Sequence, residues 1–243
     1  MKEVQCTEVW GGAGACDVSV KLAGARGECF SKPFGQGAAG GDIHYLSVCG
    51  MGILSKVVLA DVSGHGEESA EVARIIHESL IENIGAHDNS SMLRHVNESF
   101  LKKRKGAFKF TTMVSTILDS RDRSLVYAYA GHPAILRGAA ATGRFSAIEP
   151  ADGARGGMPL GILSGTEYAQ HAVDLDEGDV FVLYSDAFTE APGDDGELLG
   201  IDGFCRLLEG AGSMRAADIK NHVMKQLGPE FDDDASLVVL EVL

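Results

Sequence analysis

The spacing of apolar and polar residues predicts where this chain forms helices and strands. Residues 57–60 are four consecutive apolar residues, as expected of a buried strand, and they lead into Asp61 and a Ser-Gly-His-Gly turn. Behind that turn, apolar residues recur at steps of three and four, which is the helical period. The same criterion predicts four helices, at about 67–84, 91–103, 201–208 and 216–226, with Asn89 or Ser90 as the N-cap of the second.

Alternating or continuous apolar runs bounded by turn residues predict the strands. Residues 1–16 are rich in glycine and give no clear element. Because strands come in runs and helices in pairs, the pattern favours an α+β sandwich over a doubly wound parallel sheet. No linker is long enough to divide the chain, so we expect a single domain over residues 1–243. The predicted strands lie at about 17–22, 42–49, 53–60, 111–118, 125–130, 134–137, 168–173, 179–184 and 235–242, with a short one near Phe145.

The overall composition narrows the class of protein. Of 243 residues, 45% are hydrophobic and 23% are charged, as in globular domains. The net charge of -14 argues against nucleic acid or an anionic membrane as a partner, because such binding depends on Lys and Arg. The five cysteines show no C-x-x-C pair and no zinc-ligand spacing, and no segment resembles a signal peptide or a membrane span. We therefore expect a cytoplasmic protein with reduced thiols.

Four aspartates stand at the ends of predicted strands, where a rigid scaffold can hold a functional carboxylate. Asp42 opens a strand, Asp61 and Asp186 each follow one, and Asp233 precedes the last. Carboxylates brought together repel one another unless a cation neutralises them, and hard oxygen ligands suit Mg²⁺ or Mn²⁺. Each of the four could equally be a turn former or a helix cap, and the spacing alone does not show that they meet.

Seven short motifs follow one another in a characteristic order. They are GGD at 40–42, ADVSGHG at 60–66, FTTM at 110–113, AGHP at 130–133, PLGI at 159–162, LYSD at 183–186 with TE at 189–190, and DDASL at 233–237. Together they resemble the metal-dependent serine/threonine protein phosphatases (the PPM or type 2C superfamily), and best its bacterial SpoIIE-like branch. The resemblance covers about residues 42–243. It implies two antiparallel β-sheets packed face to face and flanked by pairs of helices.

The resemblance also implies a site and a reaction. Asp61 would bridge two Mn²⁺ or Mg²⁺ ions, Asp42 and the carbonyl of Val62 would complete one metal site, and Asp186 and Asp233 would hold the other. A metal-activated water would hydrolyse phosphoserine or phosphothreonine on a bacterial regulatory protein, of the anti-sigma-factor antagonist type, without a phosphoenzyme. A homodimer is one possible assembly.

Some features leave alternatives open. His65, four residues after Asp61, could protonate the leaving serine oxygen or could simply occupy a turn. Where the family commonly has Asp-Gly, this chain has Asp186-Ala187, and the turn could differ because alanine does not readily adopt a positive φ. A partner-binding module of the same fold without turnover is the alternative to an enzyme, although the four aspartates disfavour it. A hydrolase of small phosphoesters is a third hypothesis.

Overall fold

The computed structural model describes residues 1–5, 8–35, 37–49, 52–64, 66–83, 86, 88–104, 109–150, 156–193, 196–228 and 230–243. The strands and helices of the first half are β1 (Lys2–Glu3), β2 (Val9–Gly12), β3 (Cys16–Leu22), β4 (Ala25–Lys32), β5 (Ile43–Cys49), β6 (Leu54–Val62), α1 (Glu67–Glu82) and α2 (Asn89–Lys103). Those of the second half are β7 (Thr111–Asp119), β8 (Ser124–Ala130), β9 (Leu136–Gly138), β10 (Phe145–Ala147), β11 (Gln170–Asp174), β12 (Val180–Tyr184), a 3₁₀ helix (Asp186–Phe188), α3 (Gly200–Glu209), α4 (Ala216–Leu227) and β13 (Ala235–Val242).

The strands form two sheets. One has seven strands in the order β1-β3-β4-β13-β12-β9-β10, and the other has six in the order β11-β8-β7-β6-β5-β2. Neighbouring strands are antiparallel except for β1 and β3, which are parallel. The predicted α+β sandwich is confirmed, with this one parallel pair as a departure from purely antiparallel sheets.

Three apolar layers hold the sheets and helices together, because successive side chains of a strand point to opposite faces. In β6, Val57 and Leu59 pack between the two sheets, whereas Val58 and Ala60 pack under α1 and α2. The outer face of the seven-stranded sheet packs against α3 and α4 in the same way. The sandwich therefore has helices on both outsides and an apolar centre. None of the described helices is long and apolar enough to span a bilayer.

Two local predictions were wrong, and the strand β4 (Ala25–Lys32) was not predicted at all. Residues 1–16 contain β1 and β2, where the sequence gave no element; β2 pairs with β5 despite its glycines, because cross-strand contacts decide strand formation more than intrinsic propensity does. The N-cap of α2 is Asp88, whose carboxylate accepts a 2.7 Å hydrogen bond from Ser91 N. Asn89 instead turns inward, where its side chain donates to Val126 O and accepts from Ser115 Oγ.

The strand ends that carry the predicted aspartates lie at one end of the sandwich. β5 begins directly after Asp42, and β6 ends one residue after Asp61. Asp186 opens the 3₁₀ helix that follows β12, and Asp233 lies two residues before β13. A hydrogen bond between the segment before β5 and the segment before β13 joins the two sheets here.

Candidate functional site

Strand geometry fixes the direction of Asp61. Its neighbours in β6, Ala60 and Val62, pack under α1 and α2, so alternation turns Asp61 toward the other sheet. There the carboxyl group lies near Asp186, whose negative charge raises the pKa of Asp61. The residue at the end of β6 thus meets the residue after β12, although 125 positions separate them in the sequence.

Burial and mutual repulsion make the carboxyl groups at this end hard to ionise. Burial, followed by the charge of Asp61, raises the pKa of Asp42 well above its usual range. Burial, followed by the charges of Asp186 and Asp233, raises the pKa of Asp61 in the same way. The pKa of Asp186 is also raised, by burial and then by Glu190. The site therefore requires positive charge if all its carboxylates are to ionise near neutral pH.

Asp42 is the clearest sign of that requirement. Its side chain is only 2% exposed, and within the described residues neither of its carboxylate oxygens has a hydrogen-bond partner. Hydroxyl groups on Ser185 and Ser236 lie near and act to lower its pKa, but both donate elsewhere, to Asp234 O and Ser31 Oγ. A buried carboxylate without partners is costly unless a cation binds it.

The second predicted pair of ligands is less enclosed. Asp186 and Asp233 are both half-buried, and Asp233 Oδ1 accepts a 2.7 Å hydrogen bond from Asp234 N. Ala187, which replaces the glycine common in related motifs, sits in the 3₁₀ helix; Arg123 is the sole non-glycine residue with positive φ in the described part of the chain. The alanine is therefore accommodated without backbone strain.

The carboxylates of the site do not converge on a single point. Among the described residues, no three carboxylates each bring an oxygen atom within 4.8 Å of the others. A spread of this kind is compatible with more than one cation. The donors of the site are oxygen atoms, which suit Mg²⁺ or Mn²⁺ rather than zinc. The residues present therefore fit the predicted cations.

Asp234 is a residue of this site that the sequence did not single out. It is 4% exposed, and its carboxylate accepts hydrogen bonds from Phe34 N and Gly41 N, both at 2.7 Å. Gly40 must be glycine, because a Cβ there would overlap Asp234 Oδ1. Asp234 thus positions the loop that carries Asp42. Its signal in the sequence was only its place beside Asp233.

Residues of α1 and of the segment before β7 form hydrogen bonds to the turn after Asp61. Lys109 Nζ donates to Ser63 O at 2.9 Å and to Ser69 Oγ at 3.0 Å, and Ser69 Oγ donates to Gly64 O at 2.6 Å. This places a lysine ammonium beside the predicted metal-bearing turn. His65 lies outside the described residues, and its role stays a prediction.

The carbonyl of Val62 faces the glycine loop. It would lie 3.2 Å from a Cβ added at Gly41, and Val62 N donates to Gly41 O at 3.3 Å. The predicted backbone ligand therefore lies next to the segment that leads into Asp42. This arrangement is compatible with the metal site implied by the motifs.

Two further motifs support the scaffold. His132 is 4% exposed, its Nδ1 lies 2.8 Å from Thr112 Oγ1, and burial lowers its pKa to about 3. Asn97 of α2 accepts from Gly161 N at 2.8 Å and donates to Leu163 O at 2.9 Å. The first contact links β7 to the turn after β8, and the second fastens α2 to the PLGI segment.

The model for one protein family, "Stage II sporulation protein E (SpoIIE)", matches residues 55–243. A search among curated protein sequences gave no match. The matched segment includes Asp61, Val62, Asp186 and Asp233, and it begins after Asp42.

Solved structures share the fold. The RsbU and RsbW domains of Rv1364c from Mycobacterium tuberculosis match with a TM-score of 0.74 and 26% identity, over 95% of this chain and 63% of that one. The SiaA-PP2C domain of Pseudomonas aeruginosa matches with a TM-score of 0.72 and 18% identity, over 88% and 85%. RsbX in complex with magnesium matches with a TM-score of 0.70 and 15% identity, over 94% and 100%. The chain thus spans less than two thirds of the mycobacterial protein of known structure.

Proposed function

This chain belongs to the SpoIIE family of PP2C-type phosphatases, and from that premise we propose that it is a metal-dependent serine/threonine protein phosphatase. It hydrolyses phosphoserine or phosphothreonine on a regulatory protein of the anti-sigma-factor antagonist type. The names of two similar structures, RsbU with RsbW and RsbX, support a protein substrate in a partner-switching system.

One observation carries the proposal. The Asp42 carboxyl group is buried beside Asp61 without a hydrogen-bond partner in the described residues, and to be ionised near neutral pH it needs a cation next to it. Turn formers and helix caps use their carboxylates on backbone N–H groups, as Asp88 and Asp234 do here. The Asp42 carboxyl group has no such hydrogen bond, so neither a turn nor a helix cap explains its burial.

The residues of this end have distinct roles in the proposed reaction. Asp61 would be shared between two metal positions, with Asp42 and the Val62 carbonyl completing one and Asp186 and Asp233 the other. Mn²⁺ or Mg²⁺, when bound, activates a water molecule and offsets the charge of the phosphate. Asp234 and Lys109 hold the two loops in place, and His65 is the proposed donor of a proton to the leaving serine oxygen.

The proposal is tested by measuring phosphate release from a phosphoserine peptide and from a sugar phosphate. The purified chain is assayed with EDTA, with Mg²⁺ and with Mn²⁺. We expect metal-dependent release from the peptide, little from the sugar phosphate, and loss of turnover in Asp61→Asn. Asp174→Asn, at an exposed position on β11, is the matched control and should keep full activity.

Three results would contradict the proposal or part of it. Wild-type turnover in Asp61→Asn would show that the carboxylate is not a catalytic ligand. Binding of Mn²⁺ without turnover on any phosphoprotein would instead identify a partner-binding module of the same fold. Preference for the sugar phosphate would keep the metal centre and replace the substrate class.

A further inference from the structure

A group of soft ligands lies between the sheets, apart from the carboxylates. Cys16 begins β3, Cys29 lies in β4 and His44 lies in β5. Cys16 Sγ is 3.6 Å from Cys29 Sγ and 3.5 Å from His44 Nε2, and all three ligand atoms lie within 4.8 Å of one another. It is the one group of three or more His, Cys, Asp or Glu ligands this close in the part of the chain described.

We propose that Cys16, Cys29 and His44 form a metal site separate from the carboxylate centre, which binds one Zn²⁺ ion. Zinc binds thiolate sulfur at ~2.3 Å and imidazole nitrogen at ~2.0–2.1 Å in a tetrahedron, which places the sulfur atoms ~3.8 Å apart and sulfur and nitrogen ~3.6 Å apart. These two separations match the corresponding edges to within a few tenths of an ångström, and the third, between Cys29 Sγ and His44 Nε2, is under 4.8 Å against ~3.6 Å in the tetrahedron. Zinc binding therefore requires the third pair of ligands to close by about 1.2 Å at most.

The surroundings also favour a metal ion. Cys29 is fully buried and His44 is 3% exposed, with the Trp10 ring tilted against the His44 ring at 5.3 Å between centroids. Within the described residues, Nδ1 of His44 has no hydrogen-bond partner, so the buried ring makes its polar contact through Nε2, which faces the sulfur of Cys16. Thiolate and imidazole ligands select zinc over Mg²⁺, so this site and the carboxylate centre would take different ions.

The site would connect the two halves of the sandwich. Cys16 and Cys29 belong to the seven-stranded sheet and His44 to the six-stranded sheet. Three protein ligands leave a fourth position of the tetrahedron for water, and Cys16 is only partly buried, which gives that position access. Because His44 lies two residues after Asp42, a bound zinc ion would also fix the strand that leads from the carboxylate centre.

Cobalt substitution tests the site independently of enzyme activity. Metal-free protein, kept reduced, is titrated with Co²⁺ in excess Mg²⁺, which occupies oxygen ligands but not thiolates. We expect a thiolate-to-cobalt charge-transfer band in the near ultraviolet that saturates at one equivalent and disappears when Zn²⁺ is added. Cys16→Ser and Cys29→Ser should each abolish the band, whereas the matched control Cys205→Ser, also buried but on α3, should retain it.

A measurement on the unmodified protein keeps the test valid if a variant folds poorly. X-ray absorption of the one-equivalent zinc form should show two sulfur neighbours at ~2.3 Å and one or two lighter ones at ~2.0–2.1 Å. A shell of oxygen neighbours alone would overturn the proposal. Absence of the cobalt band in reduced wild-type protein, or its persistence in both single-cysteine variants, would overturn it as well.

Discussion

Removing the Asp234 side chain is the most direct test of how the loop before Asp42 is held. Asp234→Ala leaves Phe34 N and Gly41 N without their acceptor, and each lost bond involves a charged group at 2.7 Å. Hydrogen bonds to charged groups are worth about 1.5–3 kcal/mol each, so the two together give about 3–6 kcal/mol. Loss of a negative charge near Asp42 and Asp61 offsets part of this, and we expect a net loss of about 3 kcal/mol.

The assay is urea unfolding of the metal-free protein followed by circular dichroism, with the free energy of unfolding extrapolated to water. Asp234→Asn keeps one acceptor oxygen and should lose about half as much stability as Asp234→Ala. The control, Asp232→Ala, removes an exposed acid two positions earlier and should change the free energy by less than about 0.5 kcal/mol. A loss within that same range for Asp234→Ala would refute the proposed role of its two hydrogen bonds.

Three more predictions concern the scaffold, each measured by the same unfolding assay. Asn97→Ala removes both hydrogen bonds that fasten α2 to the PLGI segment and should cost about 2 kcal/mol; an unchanged free energy would contradict that role. Burial lowers the pKa of His132 from 6.5 to about 3. Between these values the unfolded chain binds a proton at this residue and the folded chain does not. The free energy of unfolding should therefore fall as the pH drops below 6.5, by up to about 1.4 kcal/mol per pH unit. The control His95→Gln, at an exposed position, should keep this fall of stability with pH, whereas His132→Gln should lose it. Equal slopes of the free energy of unfolding against pH in the two variants would exclude His132 as the source. Arg137→Ala removes the guanidinium that pairs with the Asp179 carboxylate, which is 1% exposed. The free energy of unfolding should fall by about 3 kcal/mol, near the lower limit for a buried pair, because the backbone N–H of Ala140 still donates to that carboxylate. An unchanged free energy of unfolding would show that the pair adds nothing to stability.

Most of the fold could be predicted from local patterns. The apolar run before Asp61 and the helical period behind it became β6 and α1, and β13 has the predicted bounds. Each of these elements buries one face or both, so the period of its apolar residues indicates whether it is a helix or a strand. β2 did not follow from the pattern, because the six-stranded sheet stabilises a glycine-containing segment through its neighbour β5.

The candidate site was predictable only where a motif marks it. The resemblance identifies Asp42 and Asp61 as site residues. Their burial and mutual repulsion arise where the two sheets meet, and the local spacing of residues does not predict that contact. The cysteine spacing excluded a zinc motif because such motifs describe ligands close in sequence. Cys16, Cys29 and His44 come from three strands, and only the sandwich brings them together.

The proposed phosphatase activity depends on divalent cations bound by Asp42, Asp61, Asp186 and Asp233. It is tested most directly by the rate of phosphate release from a phosphoserine peptide as the Mn²⁺ concentration rises from an EDTA-treated start. We expect no release without metal, saturable release with it in the wild-type chain and in Asp174→Asn, and none in Asp61→Asn. Release that is equally fast in EDTA, or undiminished in Asp61→Asn, would contradict it.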